Sequence, residues 1–128
     1  MKFLAITGGV LGLLGVLLGA FGAHSIESLV SAARLDVWKT AVSYQLYHVP
    51  VLLMTALLSE RGAGKWRYCA GLGFLTGIAI FSGSLYLLVL FDLPKLGMVT
   101  PIGGVMLIVA WICLLVAIAR NEFTDQGK

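Results

Sequence analysis

The chain has 128 residues, nine of them Lys or Arg and six Asp or Glu, for a formal net charge of +3. Charged residues make up 12% and hydrophobic residues 59%, with a mean hydropathy of +0.99, whereas a soluble domain carries about 25% charged residues. These values argue against a water-soluble fold, a disordered tail and a nucleic-acid partner.

The charges are also confined. Residues 3–23, 40–59, 68–91 and 96–119 carry none. A helix rising about 1.5 Å per residue crosses a hydrocarbon core of about 30 Å in roughly 20 residues. Strands of a closed barrel need alternating polarity, and runs such as Val51-Leu52-Leu53-Met54 do not alternate. The pattern therefore predicts an all-α integral membrane protein. Four spans, at about 3–23, 41–59, 68–91 and 98–119, pack as one compact bundle with no room for a soluble module. The first span follows Lys2 as a signal peptide would, but its apolar core exceeds the usual 7–15 residues or so, and it is read as a retained span.

Span one carries Gly8, Gly12, Gly15, Gly19 and Gly22 at alternating spacings of four and three, hence on one helical face. Small residues let a second backbone approach closely in lipid. The face is read first as packing against another helix of the same chain, and second as a homodimer seam. Residues 25–39 read as a short amphipathic helix lying in the membrane interface between spans one and two. Ile26, Leu29, Val30, Ala33 and Val37 would share its apolar face, and Trp38 would sit at the headgroup boundary.

Span two is the polar one, with Ser43, Tyr44, Gln45, Tyr47, His48 and Pro50. Span three bears Gly71, Gly73 and Gly77, then Ser82, Ser84 and Tyr86. Asp92-Leu93-Pro94-Lys95 is a tight turn. Thr100-Pro101 reads as a helix start, with Thr as cap and Pro at the first helical position. Residues 121–128 form a polar tail. Cys69 and Cys113 differ in predicted depth and are read as two unpaired, buried apolar residues.

Orientation follows from Lys and Arg in the short loops. Lys2, Arg61, Lys65, Arg67, Arg120 and Lys128 lie on one side, and Arg34, Lys39 and Lys95 on the other. Both termini are thus expected in the cytoplasm. Most polar side chains within the spans then share the outer half of the bilayer. His24, Tyr44, Gln45, His48, Ser82, Ser84, Tyr86 and Thr100 are the candidate polar cluster, either a structural tie between helices or a small site opening outward.

Catalytic groups are not expected. Ser82 and Ser84 lack a GxSxG context, and no carboxylate within a span is available to orient a histidine. No CxxC, HExxH or His/carboxylate spacing supports a metal or haem. Neither a cofactor nor a metal is expected.

Four segments in order carry a resemblance. They are Gly19-Ala20-Phe21-Gly22-Ala23-His24, then Trp38 through His48 (WKTAVSYQLYH), then Phe81-Ser82-Gly83-Ser84-Leu85-Tyr86, then Thr100-Pro101-Ile102-Gly103-Gly104. The set resembles the YgdD/YwdK family of small bacterial inner-membrane proteins, which has a eukaryotic transmembrane relative and a domain of unknown function. The resemblance implies a multi-pass protein of the bacterial inner (plasma) membrane and implies no activity. The reading for function is a non-enzymatic packing or assembly partner. Its partners would be the lipid bilayer and either a homo-oligomer or another membrane protein. The alternative is a small-molecule binding or permeation protein using the outward polar cluster. A haem or quinone redox protein carries less weight.

Overall fold

The computed structural model describes residues 1–58 and 64–123. The loop at 59–63 lies outside the described residues, with Arg61 and the last residue of predicted span two. So does the tail at 124–128, with Lys128. Among the described residues the chain is all helix and turn. Helix α1 (Lys2–Phe21) widens into a π turn (Gly22–Ile26), and a single further turn, α2 (Glu27–Leu29), ends it. Then come α3 (Ala32–Leu57), α4 (Lys65–Leu90), a 3₁₀ turn (Pro94–Met98) and α5 (Thr100–Ala119).

Among the described residues, three helical stretches are long and apolar enough to cross a membrane: Lys2–Leu29, Lys65–Leu90 and Pro94–Ala119. Helix α3 spans 26 residues, but its polar side chains hold it below that hydropathy. It starts well before the predicted span and runs unbroken through Pro50.

Residues 25–39 do not form one separate helix. Val30 and Ser31 adopt extended conformations, and the Ser31 hydroxyl accepts from the Arg34 amide at 3.3 Å, capping α3. That break resets the helical phase, so the apolar face read across it is wrong. Leu29 is 75% exposed and Ala33 is exposed, whereas Ile26, Leu35 and Trp38 are buried.

Helix α1 packs on α3, α3 on α4 and α4 on α5, with a smaller contact between α1 and α4. The glycine face of α1 is filled by α3. A methyl added at Gly8 would meet Leu53 and Leu52; at Gly12, Val49; at Gly15, Leu46 and Gln45; at Gly19, Val42; and at Gly22, Trp38. The partners descend as the glycines ascend, so the two helices run antiparallel with small residues facing large ones. Helices α4 and α5 are also antiparallel and closer still, with Gly73 against Ala110, Gly77 against Leu107 and Gly103 against the backbone of Phe81.

Two apolar clusters result. One joins Leu4, Leu52, Phe74, Ile78, Leu107 and Ala110 toward the tail end of the bundle. The other joins Ile26, Leu35, Trp38, Leu85, Tyr86 and Val89 toward the π-turn end. Cys113 belongs to the first, but Cys69 is exposed rather than buried, and both are free thiols.

Helices α4 and α5 end alike. Asp92 (φ 50°) and Asn121 (φ 54°) turn left-handed, a conformation that Asn and Asp tolerate better than most residues. The amides one residue on, Leu93 and Glu122, reach back to the Leu88 and Ala117 carbonyls at 3.1 and 3.0 Å, satisfying helix-end acceptors. Asp92 is further held by Arg34, Nη2 to Oδ1 at 2.6 Å. The second turn folds the start of the tail onto α4. The Glu122 carboxylate accepts from the Arg67 amide at 2.8 Å and the Trp66 amide at 3.4 Å. It supplies the N-cap that Gly64, lacking a side chain, cannot.

Candidate functional site

Polar side chains between the two apolar clusters are built on facing turns of α3 and α4. Side chains lean toward their own helix N-terminus. Because α3 and α4 are antiparallel, Gln45 and Tyr86 lean toward one another. The Tyr86 hydroxyl donates to Gln45 Oε1 at 2.8 Å, and both side chains are buried. One turn away the Ser82 hydroxyl donates to the Ala41 carbonyl at 2.7 Å, joining the same two helices.

The other end of Gln45 explains part of the glycine pattern. Gln45 Nε2 donates to the Leu11 carbonyl of α1 at 2.7 Å, and Trp38 Nε1 donates to the Leu18 carbonyl at 2.9 Å. In a helix the carbonyl of residue i points toward residue i+4, whose Cβ flanks it. Four residues beyond Leu11 stands Gly15, and four beyond Leu18 stands Gly22. Each glycine bares a carbonyl that a neighbouring helix then uses. Trp38 is thus buried inside the bundle, edge-on to Tyr86 at 4.8 Å between centroids, rather than facing the headgroup boundary.

A second tie joins α4 to α5. The Ser84 and Thr100 hydroxyls lie 2.7 Å apart, with Ser84 also donating to the Phe81 carbonyl at 3.0 Å. Thr100 therefore does not cap its own helix as expected; Val99 holds the cap position.

The eight predicted residues do not form one cluster. Gln45 and Tyr86 come together, Ser82 bonds beside them, and Ser84 meets Thr100 on the far side of α4. Tyr44 and His48 lie on another face of α3. Tyr44 stacks on Phe81 at 4.2 Å, and His48 faces Phe74 at 5.9 Å and Trp111 at 6.2 Å. His24 is exposed in the π turn, away from all of them. Sequence reasoning missed Trp38, Phe74 and Trp111 as partners, because aromatic residues are the ordinary filling of membrane helices. It also missed Glu122, placed in a stretch read only as a polar tail.

Chemically, Gln45, Tyr86, Ser82, Ser84 and Thr100 hold one another and the helix backbones. Among the described residues, no three His, Cys, Asp or Glu side chains gather to hold a metal ion.

A family model described as "Protein of unknown function (DUF423)" matches residues 18–104, which span from the bared Leu18 carbonyl to the glycine pair opening α5. The chain is 41% identical over 121 residues to the UPF0382 membrane protein YwdK of Bacillus subtilis (strain 168), covering 94% of this chain and 98% of the relative. It is 42% identical over 117 residues to the UPF0382 membrane protein SAB0533 of Staphylococcus aureus, covering 91% and 95%. It is 34% identical over 119 residues to the UPF0382 inner membrane protein YgdD of Escherichia coli (strain K12), covering 93% and 91%. No solved structure matches the chain.

Proposed function

The chain belongs to the DUF423 family of membrane proteins, and from that premise we propose that it is a non-enzymatic, four-crossing bundle of the bacterial plasma membrane. It serves there as a packing or assembly partner for another membrane component. One observation carries the reading: Gln45, Tyr86, Trp38, Ser82, Ser84 and Thr100, which meet between the helices, are consumed in ties to a second helix. Tyr86 meets Gln45, Gln45 meets Leu11 O, Trp38 meets Leu18 O, Ser82 meets Ala41 O, and Ser84 meets Thr100. Such groups set helix geometry and are not free to act on a substrate. The outward surface is apolar instead, with Ile108 61%, Ile112 53% and Leu115 63% exposed on α5.

The fourth crossing is α3. Its antiparallel register with the α1 glycines from Trp38 to Leu53 supports placing it at the same depth as α1. The break at Val30-Ser31 and the π turn then fall at the outer boundary. The excess of Lys and Arg on the loop and tail side supports cytoplasmic termini. Self-association through the α1 glycines would require α3 to leave, so a second copy would use another surface.

Photo-crosslinking residues placed at Ile108, Ile112 and Leu115 in cells test the reading. A discrete protein adduct of fixed stoichiometry is expected from this face. Adducts to lipid alone, at these positions and around the whole bundle, would remove the assembly role.

A further inference from the structure

A cavity of about 510 Å³ opens where the helical turns that follow α1 meet the end of α4. Leu29, Val89 and Leu90 give it an apolar wall, and Ser31, Arg34 and Asp92 a polar one. The buried ties between helices use none of these six.

The apolar wall leads toward lipid. Leu29 and Leu90 are the last residues of two helical stretches long and apolar enough to cross a membrane, so the cavity lies where hydrocarbon gives way to headgroups. Leu29 is 75% exposed and Leu90 51%. Leu87 and Gly83 precede Leu90 at spacings of three and four on one face of α4. Leu87 is exposed, and a methyl added at Gly83 would meet nothing within 4 Å. Leu90, Leu87 and Gly83 thus make an apolar track running from the cavity along the helix.

The polar wall holds a charge pair that is only partly used. Arg34 Nη2 donates to Asp92 Oδ1 at 2.6 Å. Among the described residues the guanidinium meets no other acceptor, and Asp92 Oδ2 meets no donor. A guanidinium has five N–H donors, so most remain open. Asp92 is 82% exposed, and an ion pair that open to solvent adds little to stability. A ligand that completes the pair carries an anion for Arg34 and a cation for Asp92, a short link apart. Arg takes phosphate oxygens in a fork, and Ser31 opens α3, whose N-terminal dipole also favours an anion. A soluble zwitterion would leave the apolar track bare, whereas a lipid covers it.

We propose that this cavity binds the headgroup of phosphatidylethanolamine, its phosphate on Arg34, its ammonium on Asp92 Oδ2 and one acyl chain along Leu90, Leu87 and Gly83. From the four-crossing reading it takes only that this end of the bundle reaches the bilayer surface. It needs no protein partner, so the site and the assembly role stand or fall separately.

The full chain, delipidated in detergent micelles, is titrated with dioleoyl phosphatidylethanolamine, phosphatidylcholine and phosphatidylglycerol, and bound lipid is counted by native mass spectrometry. The ethanolamine lipid is expected to bind about tenfold more tightly than the other two, since choline has no N–H for Asp92 and glycerol brings no cation. Asp92→Asn suits the left-handed turn as Asp does and is expected to bring the ethanolamine lipid down to the choline level. Arg34→Gln is expected to weaken all three lipids by about tenfold. The three lipids are compared on the unaltered chain, so the outcome does not depend on either variant folding. Equal binding of the three overturns the proposal, as does an ethanolamine preference that persists in Asp92→Asn. Tightest binding of phosphatidylglycerol overturns it in favour of a plain anion site. Water-soluble glycerophosphoethanolamine is expected to compete only weakly; competition at the same concentration as the lipid overturns the lipid assignment.

Discussion

Replacing Gly103 with alanine gives a sharp test of how α4 and α5 are held. An added methyl would meet the Phe81 amide nitrogen, with the Phe81 Cα at 2.7 Å and Cβ at 2.9 Å. Carbon atoms rest at about 3.5–4.0 Å, so the helices must part by about 0.8 Å or more there. A backbone cannot swing aside as a side-chain tip does. Overpacking of this kind costs about 1–3 kcal/mol. The parting also stretches the Ser84–Thr100 contact of 2.7 Å, one turn away, an interhelical bond worth about 0.6–1.7 kcal/mol. Together they give a loss of about 2–4 kcal/mol. Gly104→Ala is the control, since its methyl would meet only the Phe81 ring, at 3.8 Å, an ordinary contact. Reversible unfolding in mixed micelles, followed by helix signal, measures both. Equal losses for the two variants, or none for Gly103→Ala, refute the close-approach reasoning.

Other outcomes follow from the remaining ties. Gln45→Leu and Tyr86→Phe are expected to couple by about 0.6–1.7 kcal/mol in a double-mutant cycle of unfolding energies; additive losses mean that the 2.8 Å bond contributes nothing. Gly22→Ala drives a methyl into the Trp38 indole and covers the Leu18 carbonyl, so it should destabilise by about 1–3 kcal/mol and be non-additive with Trp38→Phe. Glu122→Ala uncaps α4 and should cost about 1 kcal/mol, with amide exchange rising at Trp66 and Arg67 alone; a uniform rise across α4 would instead mean global loosening. Reporter fusions at both termini are expected to give cytoplasmic signals, and a periplasmic reading at either end inverts the charge argument.

Spacing on one helix was the easiest feature to read from sequence. The α1 glycines share a face because three-and-four spacing closes on a helix, and that face is where α3 lies. Helices α4 (Lys65–Leu90) and α5 (Thr100–Ala119) lie over two of the stretches that carry no charge. Extrapolation across residues 25–39 failed because two extended residues at Val30-Ser31 reset the phase, and a single break moves every later side chain around the axis. Gln45 bonds to Tyr86 and Ser84 to Thr100 across helices, one of the two roles the sequence left open for the polar residues. Their assignment to one cluster was not correct, because common depth does not fix direction around a helix.

By itself the chain's sequence determined the apolar helices and the glycine stripe, because hydropathy and period are local properties of consecutive residues. Tertiary structure alone decided which carbonyls were bared to Gln45 and Trp38, that Glu122 caps a helix more than fifty residues earlier in the chain, and that His48 faces Phe74 and Trp111 instead of Gln45. These are matters of rotation and register between helices. They are set by side chains meeting across an interface, and no single segment contains them.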